Sequence, residues 1–317
     1  MKKEYSVGID IGGTTTKFGI VTHAGEIIIQ DRIPSNDHED IANFIQQLAD
    51  KLIPMIEKVG GPKNIKGIGI GAPNGNFNSG TIEYAPNLRW KGIIPLTKLI
   101  SEKFNLPSKL TNDANAAAMG EKLYGCTKDI NHFITITLGT GVGSGIVIDG
   151  NIVVGHDGFA GELGHTIIRP GGRLHNKTGL RGSLEAYASA SGVCQTAIEL
   201  LDQQPEKTSL LREIDKNNLT SEIIFNCAAK GDEIAKEVYE FTGQILGESI
   251  ANFVLFSSPE VIVLFGGVTK AGDLLLNSIR KHMEANLLPI FQNKIKIMLS
   301  QLNESDAAIL GASALIS

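Results

Sequence analysis

The same short pattern occurs twice in this chain, once around Gly12 and once around Gly139. In the first copy, Ser6 to Asp10 reads as a short buried strand and Gly12-Gly13 as a turn. Lys17 to Val21 returns as a second strand, and Glu26 to Arg32 forms a third. In the second copy, His132 to Leu138 is a strand rich in β-branched residues and Gly139-Thr140-Gly141-Val142-Gly143 is the turn. Ser144 to Ile148 returns, and Asp149-Gly150 turns again into Asn151 to Val154. Strand, glycine turn, strand reads as a hairpin and not as a strand-to-helix junction. An internal duplication of one α/β unit is the economical explanation.

The remaining periodicity fills out the two halves. Asp40 to Lys58 carries Ile41, Phe44, Ile45, Leu48, Leu52 and Ile56 at nearly helical spacing; Pro54 is expected to kink or split this helix. Ile65 to Gly71 reads as a buried strand, Leu96 to Phe104 as a short helix, Lys109 to Thr111 as a strand, and Ala114 to Leu123 as a small-residue helix. A polar, glycine-rich segment from Gly155 to Ser183 precedes several helices, one of them long (Glu233 to Phe256). Val261 to Phe265 is another buried strand, closed by Gly266-Gly267, and Ala307 to Leu315 is a final helix. Strands alternating with helices give an α/β class. A chain of 317 residues has length for two lobes, each with one copy of the unit, and the cleft between them is the default site.

Composition excludes several functions. The net charge of −5 is spread without long like-sign runs, which does not invite nucleic acid or an anionic membrane. No apolar window approaches the roughly 18 residues a membrane span requires. Lys2 and Lys3 are followed at once by a strand-like segment containing Asp10, so no signal peptide is expected. Cys126, Cys194 and Cys227 are far apart and outside Cys-x-x-Cys spacing. That argues for a reducing, cytoplasmic setting and against disulfides or a cysteine-built metal site.

Four segments carry chemical potential. Asp10-Ile11-Gly12-Gly13-Thr14-Thr15-Thr16-Lys17 can bring backbone N–H groups and hydroxyls close to a phosphate. Asp10 at the strand end can hold magnesium through water. A plain hairpin turn is the competing reading, and the spacing is not that of a Walker A loop. Gly139 to Gly143 is alone a weak signal, but two such turns on duplicated strands can grip a polyphosphate. Asn112-Asp113-Ala114-Asn115 opens a helix, where Asp113 is either a helix cap or a general base for phosphoryl transfer to an alcohol. Gly161-Glu162-Leu163-Gly164-His165 offers a carboxylate and an imidazole suited to sugar hydroxyls, although a lone histidine is more often structural.

These segments, with Gly71-Ala72-Pro73, Gly266-Gly267-Val268 and Ala307-Ala308-Ile309-Leu310-Gly311-Ala312, stand in the order seen in the ROK family of bacterial sugar kinases and related repressors, which the whole chain resembles. The resemblance implies a duplicated actin/hexokinase-like (ribonuclease H-like) two-lobe fold with a central cleft. Its small N-terminal lobe would comprise residues 1–115 with 304–317, and its large C-terminal lobe residues 116–303. It also implies ATP-dependent phosphorylation of a hexose at the 6-hydroxyl, with glucose first and N-acetylglucosamine or N-acetylmannosamine as alternatives. Asp113 matches the catalytic base of the family. Asn87, Asn112, Glu162, His165 and Glu185 match its sugar ligands. Gly12, Gly13, Thr14, Lys17, Gly139, Thr140 and Gly141 fall in its phosphate-gripping turns, and Gly266 and Gly267 in its adenosine-side turn. Members are often homodimers, and Phe253 to Ser258 is either such a contact or core.

One stretch departs from the family pattern. Asn176, Thr178 and Ser183 stand where the family has zinc-binding cysteines. Amide and hydroxyl oxygens are poor zinc ligands beside thiolates, so zinc is not expected. His156, His165 and His175 have no strong ligand spacing of their own. A repressor is a rival of another class. It needs a helix-turn-helix module ahead of the phosphate loop, for which the residues before Asp10 are too few. A catalytically silent sugar sensor is a second rival, opposed by the intact Asn112-Asp113 pair.

Overall fold

The computed structural model describes residues 4–303 and 306–316. Lys2, Lys3 and positions 304, 305 and 317 of the expected lobe segment lie outside the described residues. The chain divides into two compact units, Met1–Asn131 with Gly145–Gly161 and Ser300–Ser317, and His132–Ser144 with Glu162–Leu299.

In the first unit, β1 (Tyr5–Ile11) and β2 (Thr15–Thr22) form the expected antiparallel hairpin, with Asp10 opposite Lys17, and β3 (Ile27–Pro34) extends it. Helix α1 (Ile41–Lys58) follows, capped by the Asp40 carboxylate, which accepts the Ala42 N–H at 2.9 Å. Pro54 does not split it: the helix runs through all 18 residues. The physical reason is the face on which the proline falls. Asp50 and Pro54 are exposed, so the carbonyl that loses its partner faces water, while Leu48, Leu52, Met55 and Ile56 pin the opposite face to the core. Strand β4 (Ile65–Gly71) runs parallel to β1. A small antiparallel sheet of β5 (Gly75–Asn76), β6 (Thr81–Glu83) and β7 (Ile93–Ile94) intervenes. Helix α2 (Leu96–Phe104) leads to β8 (Ser108–Thr111), parallel to β4, and α3 (Asp113–Tyr124) follows. The sheet order is β3-β2-β1-β4-β8.

One face of this sheet buries Val7, Ile9, Ile68 and Ile70 with Phe44, Leu48, Leu52 and Ile100. Each such side chain is worth about 1.5–3 kcal/mol when fully removed from water. On the sheet also lies the terminal helix, over Ala307–Ala314. A Cβ at Gly8 would come 2.0 Å from the Ile309 carbonyl oxygen, and one at Gly69 1.9 Å from that of Ala312. The glycines of β1 and β4 therefore admit helix backbone directly onto the sheet.

The second copy of the pattern supplies β9 (Phe133–Leu138), β10 (Val142–Ile148) and β11 (Asn151–Ile152). After α4 (Glu185–Ala188), α5 (Ala190–Gln203), α6 (Ser221–Ala229) and the long α7 (Glu233–Ser257) come β12 (Val261–Phe265), α8 (Asp273–Asn286) and β13 (Lys296–Leu299). The sheet order β11-β10-β9-β12-β13 repeats that of the first sheet, with hairpin strands continued by two parallel strands. The division between the units falls inside β10, after Ser144, and the first unit takes in α3 and residues 145–161 beyond the segments expected for the N-terminal lobe. Among the described residues no helix is long and apolar enough to cross a membrane.

Candidate active site

In the first unit the parallel register aligns Asp10 with Gly71 and Gly71 with Thr111, at the carboxyl ends of β1, β4 and β8. Asn112 and Asp113 follow Thr111 directly, so they leave the sheet at the edge where Asp10 stands. The helix cap is Asn112 and not Asp113, which corrects the bland reading of that residue. The Asn112 Oδ1 accepts the Asn115 N–H at 2.7 Å, while Asp113 is the first helical residue and accepts the Ala114 N–H at 2.9 Å. Asp113 keeps a solvent-accessible side chain.

Gly71 lies beside both acids and beside Ala116, whose Cβ would be 3.3 Å from a Cβ there. A Cβ there would lie 3.7 Å from Asp10 Oδ1 and 3.9 Å from the Asp113 Cα. Burial, and then the Asp113 charge, push the Asp10 carboxyl up to about 6, with Lys17 pulling the other way. Although accessible in area, Asp113 is crowded by protein, and its lost hydration pushes its carboxyl up against the pull of the Ala114 N–H.

The first glycine turn closes through the Gly12 N–H and the Thr15 carbonyl at 3.1 Å. Neither Gly12 nor Gly13 has a positive φ, so the turn needs glycine for space. A Cβ on Gly13 would come 3.0 Å from the Asn87 carbonyl oxygen and 3.1 Å from its Cβ. The structure thus brings Asn87 against the turn, with Asn87 and Thr14 both exposed. Lys17 sits opposite Asp10 across the hairpin.

In the second unit the Gly139 N–H donates to the Gly141 carbonyl at 3.0 Å, and the Gly143 N–H to Thr137 Oγ1 at 3.1 Å, which closes the turn carrying Thr140. Gly266 (φ +106°) follows β12 directly, and a Cβ there would meet the Leu138 carbonyl oxygen at 2.6 Å. The Gly266-Gly267 turn is therefore seated against the strand end from which the second glycine turn leaves. Glu185 Oε2 accepts the Val142 N–H at 2.7 Å and occupies the space a Cβ on Gly141 would need. The segment from Glu162 to His165 rests on the same hairpin. The Leu163 N–H reaches Ser144 Oγ at 3.1 Å, and Gly164 passes so close to the Val142 carbonyl that a Cβ would lie 2.0 Å from it. His165 Nε2 is 3.9 Å from Glu162 Oε2, while its Nδ1 is buried without a hydrogen-bond partner, as is Ser183 Oγ.

The residues at the family's cysteine positions do not fit zinc. Asn176 and Thr178 are exposed, Ser183 is buried, and no group of three or more metal-ligating histidine, cysteine or acidic side chains exists among the described residues. His175, which the sequence offers only as a possible metal ligand, has a different partner. Its Nε2 lies 3.2 Å from Glu185 Oε1 and its Nδ1 2.9 Å from Thr178 Oγ1. No spacing rule signals such a contact, because it depends on how the loop folds back. Gly71 was visible as part of a motif, but its place beside two acids was not.

A sequence model of the ROK family matches residues 6–317. A glucokinase of Halalkalibacterium halodurans is 38% identical over all of this chain and 96% of its own length. A xylose repressor of Caldicellulosiruptor bescii is 31% identical over 98% of this chain and 77% of its own. A solved structure of a ROK family glucokinase from Streptomyces griseus, in complex with glucose and AMPPNP, matches with a TM-score of 0.78 and 28% identity over 98% of each chain. The fold is the actin/hexokinase-like fold of ROK sugar kinases, and the chain belongs to the ROK family.

Proposed function

We propose that this protein is an ATP-dependent glucokinase that transfers the γ-phosphoryl group of ATP to the 6-hydroxyl of glucose, with Asp113 as general base. The observation that carries this reading is the pairing of Asp113 with Asp10 around Gly71 at one sheet edge. Asp113 is held at a helix start without being the cap, and its carboxyl is raised, a direction that strengthens it as a proton acceptor. The similarity to the H. halodurans and S. griseus glucokinases supports the same activity and ATP as the donor.

The remaining roles follow the resemblance. Asn87, Asn112, Glu162, His165 and Glu185 are the sugar-hydroxyl ligands. Gly12, Gly13, Thr14, Lys17, Gly139, Thr140 and Gly141 bind the phosphates, and Gly266 and Gly267 the adenosine side. Asp10 would hold magnesium through water: its carboxylate stands beside a second acid, and opposite charge is what such a pair lacks. When bound, the ion offsets triphosphate charge. Rate enhancement in such a site comes mainly from positioning and charge stabilisation. The three free thiols suit the cytoplasm. A homodimer through the end of α7, where Leu255 and Phe256 are exposed, is the proposed assembly.

The test is a coupled ADP-release assay with magnesium and ATP across glucose, N-acetylglucosamine, N-acetylmannosamine, mannose and fructose. Glucose-dependent ADP release is expected. A preference for an acetamido sugar would change the acceptor, and silence with every sugar would favour the non-catalytic sensor reading that the similarity to a xylose repressor keeps in view.

A further inference from the structure

Glu185 is an unusually constrained carboxylate. Its side chain is 14% exposed and that of His175 12%, and a charged group this far from water needs partners for both oxygens. Oε2 is held by the Val142 N–H at 2.7 Å. Oε1 is met by His175 Nε2 at 3.2 Å. The other ring nitrogen is engaged as well: Nδ1 faces Thr178 Oγ1 at 2.9 Å, and that hydroxyl oxygen accepts the Leu180 N–H at 3.3 Å. With the hydroxyl hydrogen directed to Nδ1, the ring carries its proton on Nε2 and donates it to Glu185.

The ring is also mounted on a closed turn. The His175 N–H donates to the Leu180 carbonyl at 2.8 Å, and the His175 carbonyl accepts the N–H groups of Thr178 at 3.2 Å and Gly179 at 2.8 Å. Leu174 bridges to Arg181 just outside it. This turn is held by its own hydrogen bonds, with no metal-ligand set among its side chains.

We propose that His175 is the positioning residue for Glu185, fixing the rotation of a carboxylate that binds sugar hydroxyls; this rests on the kinase reading above. Without His175, Oε1 is free and the carboxylate pivots about its remaining bond to Val142. The sugar side should then lose more than the nucleotide side, because the glycine turn keeps its anchor.

The experiment compares wild type, His175→Leu and His175→Gln by steady-state kinetics, by calorimetric glucose binding and by thermal melting. His175→Leu is expected to raise the glucose KM and Kd about tenfold or more with the ATP KM within about threefold, and the glutamine amide, which can donate to the same oxygen, is expected to recover most of the loss. Unchanged glucose affinity in His175→Leu overturns the proposal. So does an equal loss in both variants that follows the melting temperature, since that is a general structural effect. If wild type binds glucose without turning it over, the kinase reading fails, and the Kd comparison still decides the role of His175. If wild type binds no glucose, both fail.

Discussion

Asp10 at the end of β1 and Asp113 just beyond β8 flank the end of β4, where Gly71 has no side chain to crowd either, and the charge of Asp113 helps raise the Asp10 carboxyl to about 6. The pair places an acid limb in the pH dependence of catalysis. In the proposed roles both groups act as carboxylates, and both are raised. Between pH 5 and 8, kcat/KM for glucose should fall as pH drops through about 6, approaching about tenfold per pH unit on the acid side. A profile flat down to about pH 4, where ordinary carboxylates titrate, would contradict the role of the pair.

The same shift has the opposite sign for stability. The folded value of about 6 lies above the ordinary 3.8, so the native state binds the proton more tightly than the unfolded chain. Stability falls as pH rises between these two values, and the cost is complete above them. Asp10→Asn should therefore be more stable than wild type at pH 7, by about 1–3 kcal/mol given partial exposure, with the gain gone near pH 4. Thermal melts at the two pH values without magnesium check this; equal stability at pH 7 would show that Asp10 is not strained by its setting.

Asp113→Asn keeps the shape of the side chain and an oxygen for the Ala114 N–H, and removes the proton acceptor. Turnover should drop by about 10² or more with glucose affinity within a few-fold. Kinetics paired with calorimetry measure both, and near-normal turnover would remove Asp113 from the role of base.

Gly141→Ala and Gly139→Ala should separate two effects. A Cβ on Gly141 meets Glu185 Oε2 at 2.5 Å, whereas one on Gly139 meets nothing within 4 Å. The first change should displace Glu185, cost about 1–3 kcal/mol and weaken glucose binding. The second should leave stability within about 0.5 kcal/mol and raise the ATP KM. Identical behaviour of the two variants would mean that Glu185 is not what the turn accommodates.

Zinc removal should change nothing. Protein treated with a zinc-selective chelator and then assayed in excess magnesium is expected to keep its melting temperature and turnover, because Asn176, Thr178 and Ser183 offer no thiolate and the turn at His175 closes on itself. Loss of activity restored by zinc would overturn this account of the loop.

The elements most legible in the sequence were those whose burial is continuous. The extents of β4, α2 and β12 agree with expectation residue for residue, because a fully buried run or a clean amphipathic repeat has sharp ends. The duplicated hairpins were equally plain. Strand β13 has no clear signal because Lys296–Leu299 is short with only Ile297 buried, and α8 has too polar a surface to announce itself. Pro54 misled because a propensity rule says nothing about which face of a helix meets water. At the proposed site, motifs name candidate residues but say nothing of their partners. That Asn112 takes the cap, that Gly71 lies beside both Asp10 and Asp113 and that His175 reaches Glu185 all depend on contacts across strand ends and a folded loop, which no local spacing encodes.

The repeated hairpin has one more consequence. Two residues before its first glycine, one copy carries Asp10 and the other Thr137. Thr137 spends its oxygen closing its own turn on Gly143, whereas Asp10 sits in the opposing fields of Lys17 and Asp113. The two copies of the pattern thus put different chemistry at the same position: a carboxylate in one, a turn-closing hydroxyl in the other. The backbone repeats while the side chain at this position does not, so in a repeat of this kind the copy carrying an ionisable group at the strand end is the one whose turn can bring charge to a ligand.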